Sequence, residues 1–423
     1  MSRTGGTFYE RVLIMYTILR NKNEGLKRET IAFARELVHT PSLSLDEAKV
    51  ADLVEAKMHE AGYDRVFRDD AGNVIGLLLG REAEPTVLLN CHLDTVAPPE
   101  TETADAPVGQ VGGRLYGLGA SDCKGGLAAQ VFTAALLQRS LLPLRGNLVM
   151  AATVAEENGG SLGVRTLMEK TLPKLGLQPN YAILGEPTGM GLYYGHDGWL
   201  EMDICVEGSN QLHVDDAANA IFEDFGSHRS VTPAKSADSE AETMSIRRPR
   251  FETVGSFRRA TIPVTRRLGL DEDAGQVMSQ IKHSAMLVAQ PSGAVAVQVA
   301  VRQETRKLYN GHKTKARQVT HAWSIDPFHS LMSRARQSLA AAGCEVRPGK
   351  WQLGRLGMGT AGSVLVKEFN VPTIGYGPGN EEQAHSVGEY VDTAKITEAV
   401  YGTAAMVHGL IGIPVCGWSS DEI

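Results

Sequence analysis

The chain has 423 residues, 43% hydrophobic and 22% charged, a globular composition too long for one compact core. A net charge of −7 leaves no basic footprint for nucleic acid, and no run approaches the roughly 20 apolar residues needed to span a bilayer. Five cysteines (Cys91, Cys123, Cys205, Cys344 and Cys416), an odd number with no C-x-x-C pair, are expected as free thiols in a reducing, cytoplasmic setting.

Residues 12–19 are apolar but short and contain Tyr16 and Thr17, with no small-residue cleavage pattern after them. A docking helix is expected there rather than a signal peptide. Residues 26–38 and 45–61 have helical periodicity, the second with Val50, Leu53, Val54 and Met58 on one face. Ser44 is placed to cap this helix and Gly62 to close it. Residues 66–68 and 73–79 read as strands joined by the turn Asp70-Ala71-Gly72. The stretch TVLLNCHLDTV follows, an apolar run ending in His92 and Asp94. Two residues apart on an extended segment, these point to the same side.

Residues 115–119 lead into Ser121-Asp122-Cys123-Lys124-Gly125-Gly126, and 127–137 read as a helix. Residues 147–155 form a continuous apolar strand, expected in a sheet covered on both faces, and end in Glu156-Glu157. Residues 181–184 form a shorter strand ending in Gly185-Glu186-Pro187. Strands alternating with helices predict an α/β fold whose mixed, mostly parallel sheet has helices on both faces.

Near residue 198 the texture changes. A half-exposed strand over 199–206, a polar, poorly periodic tract over 226–250, strands over 260–264 and 294–301 and a helix over 272–285 read as α+β. The α/β texture returns at about 311, with a helix over 328–342, a strand over 371–375 and a closing helix over 394–410. The expected division is a catalytic α/β domain of residues 1–197 and 311–423, interrupted by an inserted α+β lid domain of residues 198–310.

Several apolar strands thus stop at an acidic or imidazole side chain: His92 and Asp94, Glu156 and Glu157, Glu186, and His385 after the 371–375 strand. Asp122 adds a carboxylate from a Gly-rich loop. Ligand sites in open α/β sheets lie beyond the carboxyl ends of the strands, so these groups are placed to converge. Each alone reads as a solvated loop residue, a helix cap or a surface histidine. Two histidines and three carboxylates together suit two borderline divalent ions such as zinc. A bridging Asp122 gives each ion three protein donors, and a shared water would become acidic enough to supply hydroxide near neutral pH. Glu156 and Glu157 point apart on an extended segment, so one can hold metal while the other takes the water's proton. Lys124 is expected at the surface, and Cys91 is expected to face away from His92 as a small buried hydrophobe.

The stretches CHLDTV, YGLGASDCKGG, VAEENGG, ILGEPTG and AHSVGEYV resemble, in this order and spacing, the two-zinc amidohydrolase and exopeptidase family of acetylornithine deacetylase, succinyl-diaminopimelate desuccinylase and glutamate carboxypeptidase. GEPTGMGLYYGHDGWLEM and TIGYGPGNEEQAHSVGEYV resemble a bacterial branch linked to selenium metabolism. The resemblance implies that His92, Asp122 and Glu186 hold one metal and Asp122, Glu157 and His385 the other. Glu156 is then the general acid/base and Asp94 the partner of His92. Zinc is the expected metal, with cobalt or manganese as substitutes. The family's lid domain often mediates dimerisation, so a homodimer through the lid is expected.

Three stretches depart from the family. QLHVDDAANAI keeps His213 and Asn219-Ala220-Ile221 but is shorter than the family's segment and lacks its Pro and Gly. The family's histidine there can reach a neighbouring subunit's site and stabilise the oxyanion. Thr265-Arg266-Arg267 keeps an Arg, matched at Arg267 to one that can bind a substrate carboxylate, but loses the family's Asp. Gly359-Thr360-Ala361-Gly362 stands where many relatives have Gly-Thr-Asp-Ala-Arg. The expected activity is hydrolysis of an amide bond in an N-acyl amino acid or short peptide by metal-bound hydroxide, with no nucleic-acid or membrane partner. An aminopeptidase or dipeptidase reading a free amine is the alternative, and a non-catalytic metal- or peptide-binding protein with an altered lid is another.

Overall fold

The computed structural model describes residues 8–97, 108–157, 160–227, 244–348 and 359–413. Most of the polar tract around residues 226–250, and Cys416, lie outside the described residues.

The main sheet comprises β1 (Arg65–Arg68), β2 (Val74–Leu78), β3 (Thr86–His92), β4 (Asn147–Thr153), β5 (Tyr181–Leu184) and a late strand, Thr373–Gly375. Its order is β1-β2-β4-β3-β5, then the late strand. β3 is parallel to β4 and β5 on either side, and β5 is parallel to the late strand, whereas β1–β2 and β2–β4 are antiparallel. Every residue of β2, β3 and β4 is buried, as a sheet sandwiched between helices requires. The alternation along β3 sorts the two faces. Val87, Leu89 and Cys91 join the core that includes α3 (Gly125–Arg139), while Leu88 joins the core that includes the helical run 162–174.

The N-terminal segment differs from expectation: α1 (Phe8–His39) is one helix, with no break between a docking helix and a second one. The buried residues Tyr16, Leu19, Asn23, Leu26, Thr30, Phe33 and Leu37 step by three and four without interruption, so one stripe packs throughout. Gly25 sits inside this helix with open space around its α-carbon. Ser44 does not cap α2 (Ala48–Glu60), which has no side-chain cap. Its hydroxyl is committed to Asp94. Gly62, at φ +85°, follows the end of α2 as expected.

A second sheet contains β6 (Gly198–Gly208), β7 (Met244–Ile246), β8 (Arg250–Val254), β9 (Phe257–Leu268) and β10 (Ala296–Val301). The order is β7-β9-β6-β10, with β8 also on β9. Burial alternates along β6, so one face carries a core and the other is more open. Helices α4 (Gln211–Ser227) and α5 (Ala274–Ala289) supply that core. No helix was expected over α4. Val214, Ala217, Ala218, Ile221 and Phe225 form its buried stripe. The chain enters this sheet through Gly195–His196 and leaves past Trp323–Ser324, which pair with each other. The last helices, α6 (Ser330–Ala341) and α7 (Thr393–Ile411), return to the first core. Among the described residues no helix is long and apolar enough to cross a membrane.

Candidate metal centre

Because β3, β4 and β5 run parallel, their carboxyl ends open on one edge. His92 is the last residue of β3, Glu156 and Glu157 follow β4, and Glu186 follows β5. Asp122 comes from the tight turn Ala120–Lys124 before α3, and its peptide bond to Cys123 is cis. His385 comes from the loop after the late strand.

Donor atoms of His92, Asp122 and Glu186 lie within 4.8 Å of one another, and so do those of Asp122, Glu157 and His385. Asp122 belongs to both groups. Its Oδ1 is 3.2 Å from Nε2 of His92 and its Oδ2 is 3.2 Å from Nε2 of His385. Nε2 of His385 is also 2.8 Å from Oε1 of Glu157. One carboxylate therefore faces two imidazoles, one with each oxygen. Glu156 approaches His92 and Glu157, and Ser161 donates to its Oε1 at 3.4 Å.

Asp94 supports the centre differently from the carboxylate–imidazole pairing expected. Nδ1 of His92 donates to the backbone carbonyl of Asp94 at 2.8 Å, whereas the Asp94 carboxylate is 3.7 Å away. That carboxylate instead accepts from the amides of Glu156 (3.1 Å) and Glu157 (3.0 Å) and from the Ser44 hydroxyl (2.5 Å). With Nδ1 committed to the Asp94 carbonyl, Nε2 is the ring nitrogen turned to Asp122, the one that can bind a metal once it gives up its proton.

Two further carboxylates hold the loops that bear the donors. Glu389 accepts from the amides of Ser121 (2.8 Å), Asp122 (2.9 Å) and Gly119 (2.9 Å) and so fixes the Asp122 turn. Glu47 accepts from the amides of Leu45 (2.9 Å) and Ala155 (3.0 Å). Ala155 has φ +52°, a left-handed conformation that a non-glycine residue keeps only when its surroundings hold it there, and it directly precedes Glu156. Neither glutamate stands out in the sequence, although Glu389 falls within AHSVGEYV. Lys124 is not at the surface: it is only 2% exposed, and its ammonium donates to the Thr40 carbonyl at 2.7 Å. Burial brings its pKa down to about 8.

The electrostatics suit a pair of cations. Burial raises Glu186 to about 8, pushes Glu156 well above the usual carboxylate range and raises Glu157. At Asp122 burial acts in the same direction, but hydrogen bonds from His385 and His92 outweigh it and hold the group below its ordinary value. Hydrogen bonds to Asp122 and Glu157 raise His385 to about 10. Carboxylates crowded together in a buried place are stabilised by divalent cations, and this imidazole–carboxylate set matches zinc-type coordination. The residues therefore fit two ions that share Asp122.

Two of the expected residues lie elsewhere. His213, in the first turns of α4, packs its ring against Gly293, where a β-carbon would come within 2.5 Å of Nδ1. Arg267 is on β9 opposite Trp199, and its charge partly offsets the burial that raises the pKa of Asp197, while its neighbour Arg266 is buried and paired with Glu272 at 2.6 Å. A residue not anticipated, His196, stands at the crossing between the sheets. Nδ1 donates to the Asp197 carbonyl at 2.6 Å and Nε2 accepts the Thr360 amide at 2.9 Å. Burial lowers its pKa to about 4, so it is a neutral strap between the two halves.

Residues 88–409 match the model for peptidase family M20/M25/M40. The chain belongs to this family. M20 relatives are metal-dependent hydrolases of amide bonds in peptides or acyl amino acids, the class to which this chain belongs. YgeY, an uncharacterised protein of Escherichia coli K12, is 24% identical over 399 residues, covering 89% of this chain and 93% of its own. The [LysW]-lysine hydrolase of Deinococcus radiodurans is 27% identical over 388 residues, covering 89% and 96%. Among solved structures, YXEP of Bacillus subtilis, a dinuclear metal-binding M20 peptidase, superposes with a TM-score of 0.65 at 17% identity, covering 91% of this chain and 98% of its own. The M20 fold accounts for the mostly parallel sheet with helices on both faces.

Proposed function

We propose that this M20 hydrolase cleaves the amide bond of an N-acyl amino acid or of a short peptide at a two-zinc centre. His92, Asp122 and Glu186 would hold one ion, and Asp122, Glu157 and His385 the other. The observation that carries this reading is the single Asp122 carboxylate, with its two oxygens 3.2 Å from two different imidazoles. The ions supply an acidified water and a Lewis acid for the scissile carbonyl. Glu156 takes the proton from the attacking water and delivers it to the leaving nitrogen. Glu156 is half-buried, and desolvation pushes its carboxyl well above the ordinary range, the direction a proton shuttle needs. Asp94 aims it through the 156–157 amides.

We assign residues 1–197 and 311–423 to the catalytic domain and 198–310 to the lid. In this protomer the His213 ring is engaged by Gly293, so its oxyanion role is assigned across a lid-mediated homodimer, at the second copy's centre. Arg267, beside Asp197 at the crossing, is the candidate for a substrate carboxylate. The four described cysteines are free, in keeping with a reducing cytoplasm.

The test is turnover on a panel of N-acyl amino acids and dipeptides, after chelation and after return of zinc, cobalt or manganese, beside Glu156→Gln. Activity should vanish with chelator, return with metal, and fall by about 10²–10⁴-fold in Glu156→Gln. Hydrolysis indifferent to both treatments refutes the mechanism. Tight metal binding without turnover across the panel favours a binding protein instead.

A further inference from the structure

Two buried cysteines flank the donors in sequence. Cys91 precedes His92 and Cys123 follows Asp122, and both are free. Their side chains are hydrogen-bonded to each other, but they face different neighbours. Cys91 lies on the opposite face of β3 from His92. Its sulfur fills the space left by Gly185, where a β-carbon would sit 2.1 Å away. Cys123 turns toward the donors. Its Sγ is 3.6 Å from the His92 carbonyl oxygen and lies within 4.8 Å of donor atoms of His92, Asp122 and Glu186, which are themselves mutually that close.

Two donors on one tetrahedral zinc, with bonds of 2.0–2.3 Å, stand roughly 3.3–3.8 Å apart. The four side chains are thus already close to the spacing one ion demands, at the bottom of the site where each is buried. We propose that Cys123 is a further donor to the half-site of His92, Asp122 and Glu186, which becomes a four-donor site of one nitrogen, two oxygens and one sulfur.

This rests on the two-metal reading and makes the halves of the centre unequal. The His92 half would have four protein donors and would take the shared water only as a fifth, whereas the His385 half keeps three and an open position, as in catalytic sites. A soft thiolate also biases the His92 half toward zinc and away from manganese or magnesium.

The experiment uses the reduced full-length protein, freed of metal and titrated with cobalt(II). A thiolate-to-cobalt charge-transfer band should grow in the near ultraviolet with binding to the wild-type protein. It should persist in Cys91→Ser and be absent in Cys123→Ser, or in Cys123→Ala if the serine variant does not fold. Zinc-over-manganese preference should fall about tenfold or more in the Cys123 variants, at the lower end of what even outer partners of a metal command. Cobalt binding that His92→Ala abolishes, but that shows no such band in the wild type, overturns the sulfur donor and leaves the two-metal reading intact. A band surviving Cys123→Ser overturns it as well. Absence of any cobalt binding that depends on His92 overturns both.

Discussion

Asp94→Asn separates two jobs that a single residue performs through different atoms. Its backbone carbonyl receives Nδ1–H of His92, and its carboxylate receives the amides of Glu156 and Glu157. The substitution keeps the carbonyl. It replaces one carboxylate oxygen with an NH₂ that must face an N–H donor. One hydrogen bond to a charged acceptor is lost, a contribution of about 1.5–3 kcal/mol, and a buried amide is left facing a donor. If about 3 kcal/mol is withdrawn from the alignment of Glu156, kcat falls roughly a hundredfold. Affinity of the His92 half-site should change less than about threefold, because its imidazole is still oriented. The half-site containing Glu157 should weaken, since its turn is loosened. Two-site calorimetric titration with zinc, beside kcat at saturating metal, reads both effects. The reasoning fails if the His92 half-site weakens ten- to a hundredfold while kcat at full occupancy is unchanged, the signature of a carboxylate that orients the imidazole.

Glu47 supplies a pH signature. Burial, helped by the Asp94 charge, raises its pKa to about 7, above the unfolded carboxylate value of about 4.3. Between these values the native state binds more protons than the unfolded state. Its contribution is therefore full at low pH and is lost as pH rises through about 7. Denaturant unfolding of metal-free protein at pH 5 and pH 8 should show wild type losing about 2–3 kcal/mol relative to Glu47→Gln, and parallel pH profiles refute the assignment. Mixing Glu156→Gln with His213→Ala tests the cross-subunit role. Each alone should be nearly inactive, and re-equilibrated mixtures should recover roughly a quarter of wild-type sites, because half the dimers are mixed and each carries one complete centre. Full activity of His213→Ala by itself removes His213 from the chemistry.

The centre was readable in the sequence because its donors follow apolar strands. The runs before His92, Glu156 and Glu186 are strands β3, β4 and β5, and their parallel adjacency brings those ends together. What the residues could not reveal was which atom of a residue acts. The Asp94 carbonyl and carboxylate serve different partners, and spacing along a strand registers only the side chain. Lys124 looked like a surface charge because its partner, the Thr40 carbonyl, lies 84 residues earlier in the chain. Glu47 reaches Ala155 across 108 residues and Glu389 reaches Asp122 across 267, distances over which no local pattern speaks. The helix α4 was overlooked because its small buried residues, Ala217 and Ala218, give a weak periodic signal between two polar stretches.

The placement of Asp122 has a consequence for how the protein fills with metal. Its two oxygens are divided between two imidazoles, while Glu389 grips the amides of Gly119, Ser121 and Asp122 that lead into it, so the plane of the carboxylate has little freedom to turn. On the proposed two-metal reading, a first cation would draw on one oxygen, and its charge would reduce what the other could offer a second cation. Occupancy would then be stepwise: under metal scarcity a singly loaded form would accumulate, and the supply of the second ion would set how much of the protein is complete.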